Sequence, residues 1–300
     1  MEISVTQKSP LLIGALLMIA AIFAMTLMDA TAKTLQLSGH HALQVVWARF
    51  TSQTVLVFLV LMPRLRGYLR TQFPLLQVVR SALLFGATIC FFYSLKFMEI
   101  ASATAVFEVA PLLMTVLAFF VLREKVGPRR WLGVIIGLCG SLIIIRPGSD
   151  VFSAATLLPV AAAFCYASYA VATRFLGSGE SPWTSFIYTA MFGTLAATVL
   201  VPFYWTTPTP ADAVRMILIG GFGAVGHYLL IRALLLADAS YLAPFGYVSL
   251  IFNTLWGVTL FGEYPDAWVF VGAAVIVVAG LYVWYRELRS GAEPVVEAPR

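Results

Sequence analysis

The stretch LLIGALLMIAAIFAMTLMDA, residues 11–30, contains a single charged residue, Asp29. About 20 residues at a rise of about 1.5 Å each cross about 30 Å, which is the thickness of the hydrocarbon core of a bilayer. Near the other end of the chain, AWVFVGAAVIVVAGLYVW, residues 267–284, contains no charge at all. Both stretches therefore predict membrane-spanning helices.

The composition of the whole chain agrees with this prediction. Of the 300 residues, 61% are apolar and 11% are charged, against about 45–50% and about 25% in soluble proteins. We predict an all-α membrane protein and take the first block as a retained span, not a cleaved signal peptide. The ten predicted spans are 11–34, 42–62, 74–97, 102–121, 129–146, 152–174, 183–203, 213–236, 241–260 and 267–285.

The basic residues predict an orientation for these spans. The net charge is +5, and its lysines and arginines flank apolar runs, which indicates orientation in a bilayer and not nucleic-acid binding. One side collects fourteen of them: Lys8, Arg64, Arg66, Arg70, Arg80, Arg123, Lys125, Arg129, Arg130, Arg174, Arg232, Arg286, Arg289 and Arg300. The other side collects four: Lys33, Lys96, Arg146 and Arg215. We therefore expect both termini in the cytoplasm of a bacterium, with the chain in its inner membrane.

The chain also repeats itself. The fragments LREKVGPRRWLG, residues 122–133, and FGEYPDAWVFVG, residues 261–272, place Glu124 and Glu263 at an offset of 139 (263 − 124 = 139). Chance similarity between apolar helices is the alternative, but the shared glutamate-to-glycine spacing favours duplication. With five spans in each half, the second half must enter the membrane from the opposite side. Inverted repeats of this kind are typical of transporters, whose solute sites lie between the halves near the midplane.

This interpretation divides the chain into four parts. The predicted parts are a cytoplasmic N-terminus at 1–10, a first repeat at 11–146, a second repeat at 152–285, and a disordered cytoplasmic tail at 286–300. The connectors within the repeats are short, and none is long enough to hold a soluble catalytic domain.

Two segments carry a resemblance to a known family. ASATAVFEVAPLL, residues 101–113, together with the 122–133 fragment, and the run from LADASYLAPFGYVSL to residue 283 resemble the drug/metabolite transporter superfamily, EamA type, over about residues 10–286. The resemblance implies a ten-helix basket in which spans 1–4 and 6–9 line a cavity and spans 5 and 10 lie outside it. It implies a secondary transporter that moves an amino acid or related metabolite by alternating access, with riboflavin or S-adenosylmethionine as the alternative solute.

Charged residues inside spans are the first candidates for the site, because each costs about 2.5–3.5 kcal/mol in hydrocarbon. Asp29 and Lys33 are four residues apart and face the same side of span 1. They form either an internal structural pair or ligands of the solute. Arg49 and Glu108 lie at similar predicted depth in spans 2 and 4, and we expect either an ion pair or a site for a substrate carboxylate or phosphate. Glu108 could also accept a coupling proton.

Other polar and aromatic residues complete the predicted site. His227 is either a proton relay or an interhelical hydrogen-bonding residue. Asn253 is either a solute contact or an interhelical hydrogen-bonding residue. An aromatic lining would suit a solute with planar parts, and its candidates are Trp47, Phe92, Tyr166, Tyr169 and Tyr247. Pro111 and Pro159 free backbone carbonyls and are predicted hinges.

The remaining motifs separate the competing function classes. Gly221, Gly223 and Gly226 fit GxGxxG but lie inside span 8, so a dinucleotide-binding fold is rejected. Gly133 and Gly137 form a GxxxG motif that predicts a close helix contact, within a monomer or in a homodimer. With no enzyme, cofactor or metal signature, an intramembrane enzyme is disfavoured, and the inverted repeat favours a carrier over a channel. The predicted partners are a small-molecule solute, the lipid bilayer and a coupling proton.

Overall fold

The computed structural model describes residues 5–62, 65–121, 123, 127–147, 154–176, 179–237 and 242–289. The helices are α1 (Val5–Leu37), α2 (Ala42–Leu61), α3 (Leu65–Tyr68), α4 (Pro74–Ser94), α5 (Ile100–Phe107), α6 (Ala110–Val121), α7 (Pro128–Ile145), α8 (Leu158–Leu176), α9 (Pro182–Leu200), α10 (Pro210–Leu236), α11 (Val248–Trp256) and α12 (Ala267–Arg289). Short 3-10 turns cover Ala154–Leu157, Val201–Tyr204 and Ala243–Tyr247, and a π-helical turn covers Gly257–Phe261.

The described segments confirm the all-α membrane fold. Nine helical segments among them are long and apolar enough to cross a membrane, and Trp131–Ile145 is a shorter apolar helix at the position of predicted span 5. Large apolar side chains such as Leu195, Ile217 and Phe203 are more than 60% exposed on the outside of the bundle. Lipid tails would cover such a surface.

One predicted boundary is wrong. The predicted tail begins at 286, but α12 continues to Arg289. The rest of the predicted tail and Glu124 lie outside the described residues.

Proline and a polar cap explain where several helices begin. Pro74, Pro128, Pro182 and Pro210 each stand in the first turn of α4, α7, α9 and α10, where the missing N–H has no intrahelical partner to lose. Before α10, the hydroxyl of Thr209 accepts a hydrogen bond from the backbone N–H of Asp212 at 3.2 Å. The breaks between predicted spans are therefore local properties of the sequence.

Packing relates the two halves by a pseudo-twofold exchange. α1 packs against α10, and its counterpart α8 packs against α4. Likewise α2 packs against α10 and α9 against α4, while α6 packs against α8 and α11 against α1. α7 packs against its counterpart α12, and α2 packs against its counterpart α9. Both contacts are expected if the two halves are equivalent. Most of the larger helix contacts therefore join one half to the other.

Each half contains a broken helix, and the two breaks occur at equivalent positions. α5 ends at Phe107 and α6 begins at Ala110, so the fourth spanning segment is interrupted at Glu108 and Val109. In the second half the 3-10 turn ends at Tyr247 and α11 begins at Val248, 139 residues after the first break (247 − 108 = 139). Pro111, which cannot donate to the carbonyl four residues earlier, stands just after the first break.

The position of Pro159 in its helix differs from the predicted hinge. It is the second residue of α8 and directly follows the 3-10 turn Ala154–Leu157. In a first helical turn proline replaces no intrahelical hydrogen bond. Pro159 therefore marks the start of α8 and does not kink its middle.

Glycines allow the closest helix contacts. A Cβ at Gly137 would overlap the side chain of Leu112, and one at Gly140 would lie 2.9 Å from the carbonyl oxygen of Gly272 on α12. Gly133 faces Val283 of α12 in the same way. The predicted close contact at Gly133 and Gly137 is thus made inside this chain, with α12 and α6. Gly223 and Gly226 likewise approach α2 and α1.

Candidate functional site

A cavity of about 280 Å³ lies among helices of both halves. It extends from the middle of α2 to the junction between α8 and α9, on the side where α2 ends and α4 begins. Its volume is at the lower end of ordinary small-molecule sites, which span about 300–1,000 Å³. Its polar and aromatic lining comprises Arg49, Phe50, Gln53, Arg80, Tyr169, Thr173, Glu180, Ser185, Phe186, Thr189 and His227.

Arg80 is held in this cavity by neutral groups. It is 4% exposed. Its Nε donates to the hydroxyl of Thr173 at 2.6 Å, its Nη2 donates to the hydroxyl of Tyr169 at 2.7 Å, and its Nη1 donates to the carbonyl of Ser185 at 3.0 Å and to Thr189 at 3.1 Å. The guanidinium also lies over the Tyr169 ring, 4.6 Å from its centre. Arg80 thus joins α4 to α8 and α9.

Arg49 uses far fewer of its donors. It is 5% exposed, and its Nη1 donates to the hydroxyl of Thr88 on α4. The guanidinium carbon lies 4.7 Å from the centre of the Phe50 ring and 5.7 Å from that of Phe92. Its Nε is buried and has no hydrogen-bond partner among the described residues, and the same is true of the amide oxygen of Gln53.

His227 and Tyr169 bring the second half into the cavity. Nδ1 of His227 lies 2.9 Å from the carbonyl oxygen of Gly223, so Nδ1 carries the hydrogen, because a carbonyl only accepts. The imidazole stacks on Phe186 with ring centres 5.3 Å apart. Tyr169 packs against Tyr166, and the ring of Tyr166 also packs against Phe107. The structure therefore places Arg49, Tyr169 and His227, three predicted site residues, around one cavity.

The predicted pairing of Arg49 with Glu108 is wrong. Glu108 accepts a hydrogen bond from the hydroxyl of Ser249, and Arg49 contacts Thr88 instead. Glu108 stands at the helix break, where the backbone turns away from the α5 direction. Depth along the helix, which the sequence gives, does not fix the direction in which a side chain points.

Asp29 and Asn253 form a polar contact between the halves. The amide of Asn253, which is 1% exposed, donates to the hydroxyl of Thr104 at 2.8 Å and to Asp29 at 3.4 Å. Asp29 is also close enough to Arg49 to interact with it electrostatically. Asn253 therefore makes the predicted interhelical hydrogen bond.

Lys33 pairs with a residue of the other half and not with Asp29. Its Nζ forms an ion pair with Glu263 and donates to the carbonyl of Met98 at 2.9 Å. The second carboxylate oxygen of Glu263 accepts from the backbone N–H of Ile100 at 3.0 Å, at the start of α5. The side chains of Lys33 and Glu263 are 5% and 18% exposed. The contact joins α1, α5 and the loop before α12 at the end of the bundle opposite the arginine cavity.

A second cavity, of about 520 Å³, opens at that opposite end. His41, stacked on Tyr204 with ring centres 4.2 Å apart, and Lys96 both line it. Partial burial lowers the pKa of His41, and the positive charge of Lys96 lowers it further. This cavity is larger, but loops and helix ends form it, whereas the arginine cavity contains buried charges.

Four other predicted site residues lie outside the arginine cavity. Trp47 donates to the hydroxyl of Thr198 on α9 at 3.1 Å, and Phe92 is fully buried beneath Arg49. Tyr166 stacks between Phe107 and Tyr169. Tyr247 points towards Gly280 of α12. In this structure these four side chains contact neighbouring helices.

Sequence reasoning missed Arg80 as a site residue, because it was assigned to the basic residues flanking the spans. It lies six residues after Pro74, inside α4. A signal was present: Gln77, Arg80, Ser81 and Thr88 recur at helical spacing in an otherwise apolar segment. Polar residues with that period mark one face of a helix, and all four are buried.

Comparison with known proteins identifies the chain. The model of the EamA-like transporter family matches residues 12–146 and 153–285. A riboflavin transporter of Rhizobium johnstonii is 30% identical over 299 residues, 96% of each chain. An S-adenosylmethionine uptake transporter of Rickettsia bellii is 26% identical over 255 residues, 85% of this chain and 88% of that one.

A solved structure supports the fold. The crystal structure of a protein matches this fold with a TM-score of 0.65 at 20% identity. The match covers 93% of this chain and 99% of that one. These findings make the chain a multi-pass membrane transporter for small metabolites and not an enzyme. It belongs to the EamA-like transporter family, within the drug/metabolite transporter superfamily.

Proposed function

We propose that this protein is an alternating-access carrier and that the arginine cavity is its solute site. The observation that carries the proposal is the position of Arg49 and Arg80. Both are buried helix residues of the first half that reach a cavity completed by Tyr169 and His227 of the second half. Solute sites of inverted-repeat carriers lie between the repeats.

The arrangement of the two ends supports a state that opens to one side. The Lys33–Glu263 pair joins the halves at one end, and the arginine cavity reaches towards the other. With the basic loops in the cytoplasm, as the positive-inside rule favours, this state faces inwards. Rocking of one half against the other would separate Lys33 from Glu263 and close the helix ends around Arg80.

Riboflavin and S-adenosylmethionine are the first solutes to test. Relatives carry these names, and both molecules have a flat ring system. Tyr169 and the stacked Phe186–His227 pair offer aromatic faces in the cavity, on which a flat ring can stack. Amino acids, the solutes expected first from the sequence, remain in the panel.

A coupling proton fits the buried carboxylates. Glu108 lies at a helix break with Ser249 of the second half as its partner, and Asp29 contacts Asn253 of the second half. A carboxyl group between the moving halves can bind and release a proton as its surroundings change. We favour Glu108, because a broken helix is where rearrangement is easiest.

Counterflow in proteoliposomes tests the carrier proposal. Vesicles loaded with unlabelled riboflavin, S-adenosylmethionine or an amino-acid mixture are diluted into trace labelled solute. A carrier accumulates label transiently, because exchange continues while net flux is small. Label that only equilibrates, at a rate independent of the internal solute, would indicate a channel and reject the proposal.

A further inference from the structure

The arginine cavity contains two buried guanidinium groups whose hydrogen-bond partners among the described residues are neutral. Arg80 donates only to neutral hydroxyl, amide and carbonyl oxygens. Arg49 donates to Thr88, and its buried Nε makes no hydrogen bond within the described chain. In the described residues, no carboxylate accepts a hydrogen bond from either guanidinium.

The acidic groups nearby accept hydrogen bonds from other residues and not from the two arginines. Asp29, which interacts with Arg49 through its charge, is the acceptor of Asn253. Glu180, at the α8–α9 end of the cavity, accepts a hydrogen bond from Thr71. Glu108 accepts from Ser249 and does not line the cavity. The deep end of the cavity therefore presents an unmatched donor on a buried cation.

The two arginines lie at different depths. Thr88, the partner of Arg49, is eight residues after Arg80 on α4, or about 12 Å along the helix axis. Arg80 is nearer the start of α4, at the open end of the cavity, and Arg49 is deeper. A solute about that long would pass Arg80 and reach Arg49 with its leading group.

We propose that the solute carries a carboxylate or phosphate group and that Arg49 binds this group at the deep end of the cavity. The inference rests on the carrier function proposed above and adds the chemical class of its solute. A guanidinium with a free edge is the best protein group for a planar or tetrahedral oxyanion. Arg80, fixed by neutral partners, attracts the same group towards the site, and the flat part of the solute lies against Tyr169 and Phe186.

Two pairs of compounds, each differing by one anionic group, test this inference. The first pair is S-adenosylmethionine and its decarboxylated analogue, and the second is riboflavin 5′-phosphate and riboflavin. The measurement is the apparent Kd from thermal stabilisation of the purified full chain in detergent. We expect the member that carries the carboxylate or phosphate to bind about tenfold more tightly, or better, than its partner in at least one pair.

Matched variants separate binding from structural support. Arg49→Gln is expected to erase the preference within the pair, and Arg49→Lys to keep part of it, because the charge stays while the planar fork is lost. Arg215→Gln is the control: it removes an arginine charge that is paired with Asp212 on α10, away from the cavity. The control variant should keep the wild-type preference. If Arg49→Gln does not fold, the wild-type comparison of the two pairs still decides.

Several outcomes overturn the inference. Equal affinity within both pairs, including no binding by any of the four, contradicts it. So does a preference that persists unchanged in Arg49→Gln. Counterflow of riboflavin with no advantage for its phosphate would reject the anionic group and leave the carrier function standing, whereas absence of counterflow for every solute would reject the carrier function itself.

Discussion

Arg49 and Arg80 are equally buried but use their donors differently. Arg80 bridges α4, α8 and α9 through four hydroxyl and carbonyl partners on other helices, whereas Arg49 has one hydrogen-bond partner in the part of the chain that the structure describes. A lysine in place of Arg80 has three donors on one nitrogen and cannot reach partners on opposite sides. Arg80 therefore contributes to the fold as well as to the charge of the cavity.

This difference predicts an order of stabilities. Arg80→Lys should lose two hydrogen bonds to buried groups and destabilise the protein by about 2–6 kcal/mol, at about 1–3 kcal/mol per unsatisfied partner. Arg49→Lys should cost clearly less. Thermal unfolding of both variants in detergent gives the comparison, and a lower midpoint for Arg49→Lys than for Arg80→Lys would contradict it.

Glu108 makes a separate prediction about coupling. If Glu108 carries the coupling proton, Glu108→Gln should retain counterflow but lose accumulation driven by a pH gradient, because glutamine cannot release a proton. The measurements are exchange and gradient-driven uptake in the same vesicles. Glu99→Gln is the control, since Glu99 lies at the start of α5, outside the helix break. Gradient-driven accumulation that survives in Glu108→Gln would remove Glu108 from this role.

At the residue scale, the sequence predicted three of the residues that line the arginine cavity, but not the partners of its charged residues. Arg49, Tyr169 and His227 were predicted and line one cavity. The pairs Asp29–Lys33 and Arg49–Glu108 were wrong, because helix rotation and the break at Glu108 decide which side chains meet. Helix rotation and the position of the break depend on packing between distant segments. The spacing of residues along one helix carries no information about that packing.

Among the elements, the contact between α1 and the loop before α12 offers the clearest test of how the halves are joined. Lys33 and Glu263 are largely buried, so replacing either one would leave the charge of the other without its ion-pair partner. Removing one member of a buried pair costs about 3–5 kcal/mol. Lys33→Glu and Glu263→Lys should each destabilise the protein strongly, and the double variant should recover part of that loss.

The recovery is expected to be incomplete. The carbonyl of Met98 and the N–H of Ile100 also bond to these side chains, and a reversed pair would serve neither. A double-variant cycle on thermal stability and on uptake gives the coupling energy. Additive losses, with no recovery in the double variant, would show that the two side chains do not hold the ends together.

The spanning helices were predictable because hydrocarbon thickness sets their length and composition. The starts of α4, α7, α9 and α10 follow from prolines in their first turns. The sequence predicted a hinge at Pro111, which lies just after the break at Glu108, but it also predicted a kink at Pro159, which stands in the first turn of α8. A proline shows that a helix can bend or begin, and its neighbours decide which.

For the whole molecule, five spans in each half require the two halves to run in opposite directions across the bilayer. With the basic loops inside, both termini should be cytoplasmic. A fluorescent reporter that folds only in the cytoplasm, fused after Arg300, should be active, and one fused in the loop at Pro208 should be silent. Activity at Pro208 and not at Arg300 would reverse the assigned orientation and make the cavity face outwards.

The central claim is that the solute binds beside Arg49 and Arg80, and a single cysteine tests it most directly. Leu230 lines the cavity, so Leu230→Cys in a chain with Cys90, Cys139 and Cys165 replaced by alanine gives one reactive thiol there. At about ten times its Kd, the solute found by counterflow should slow modification by a thiol reagent about tenfold, because only the free protein reacts. An unchanged rate, in a variant that still exchanges the solute, would place the solute elsewhere and contradict the account.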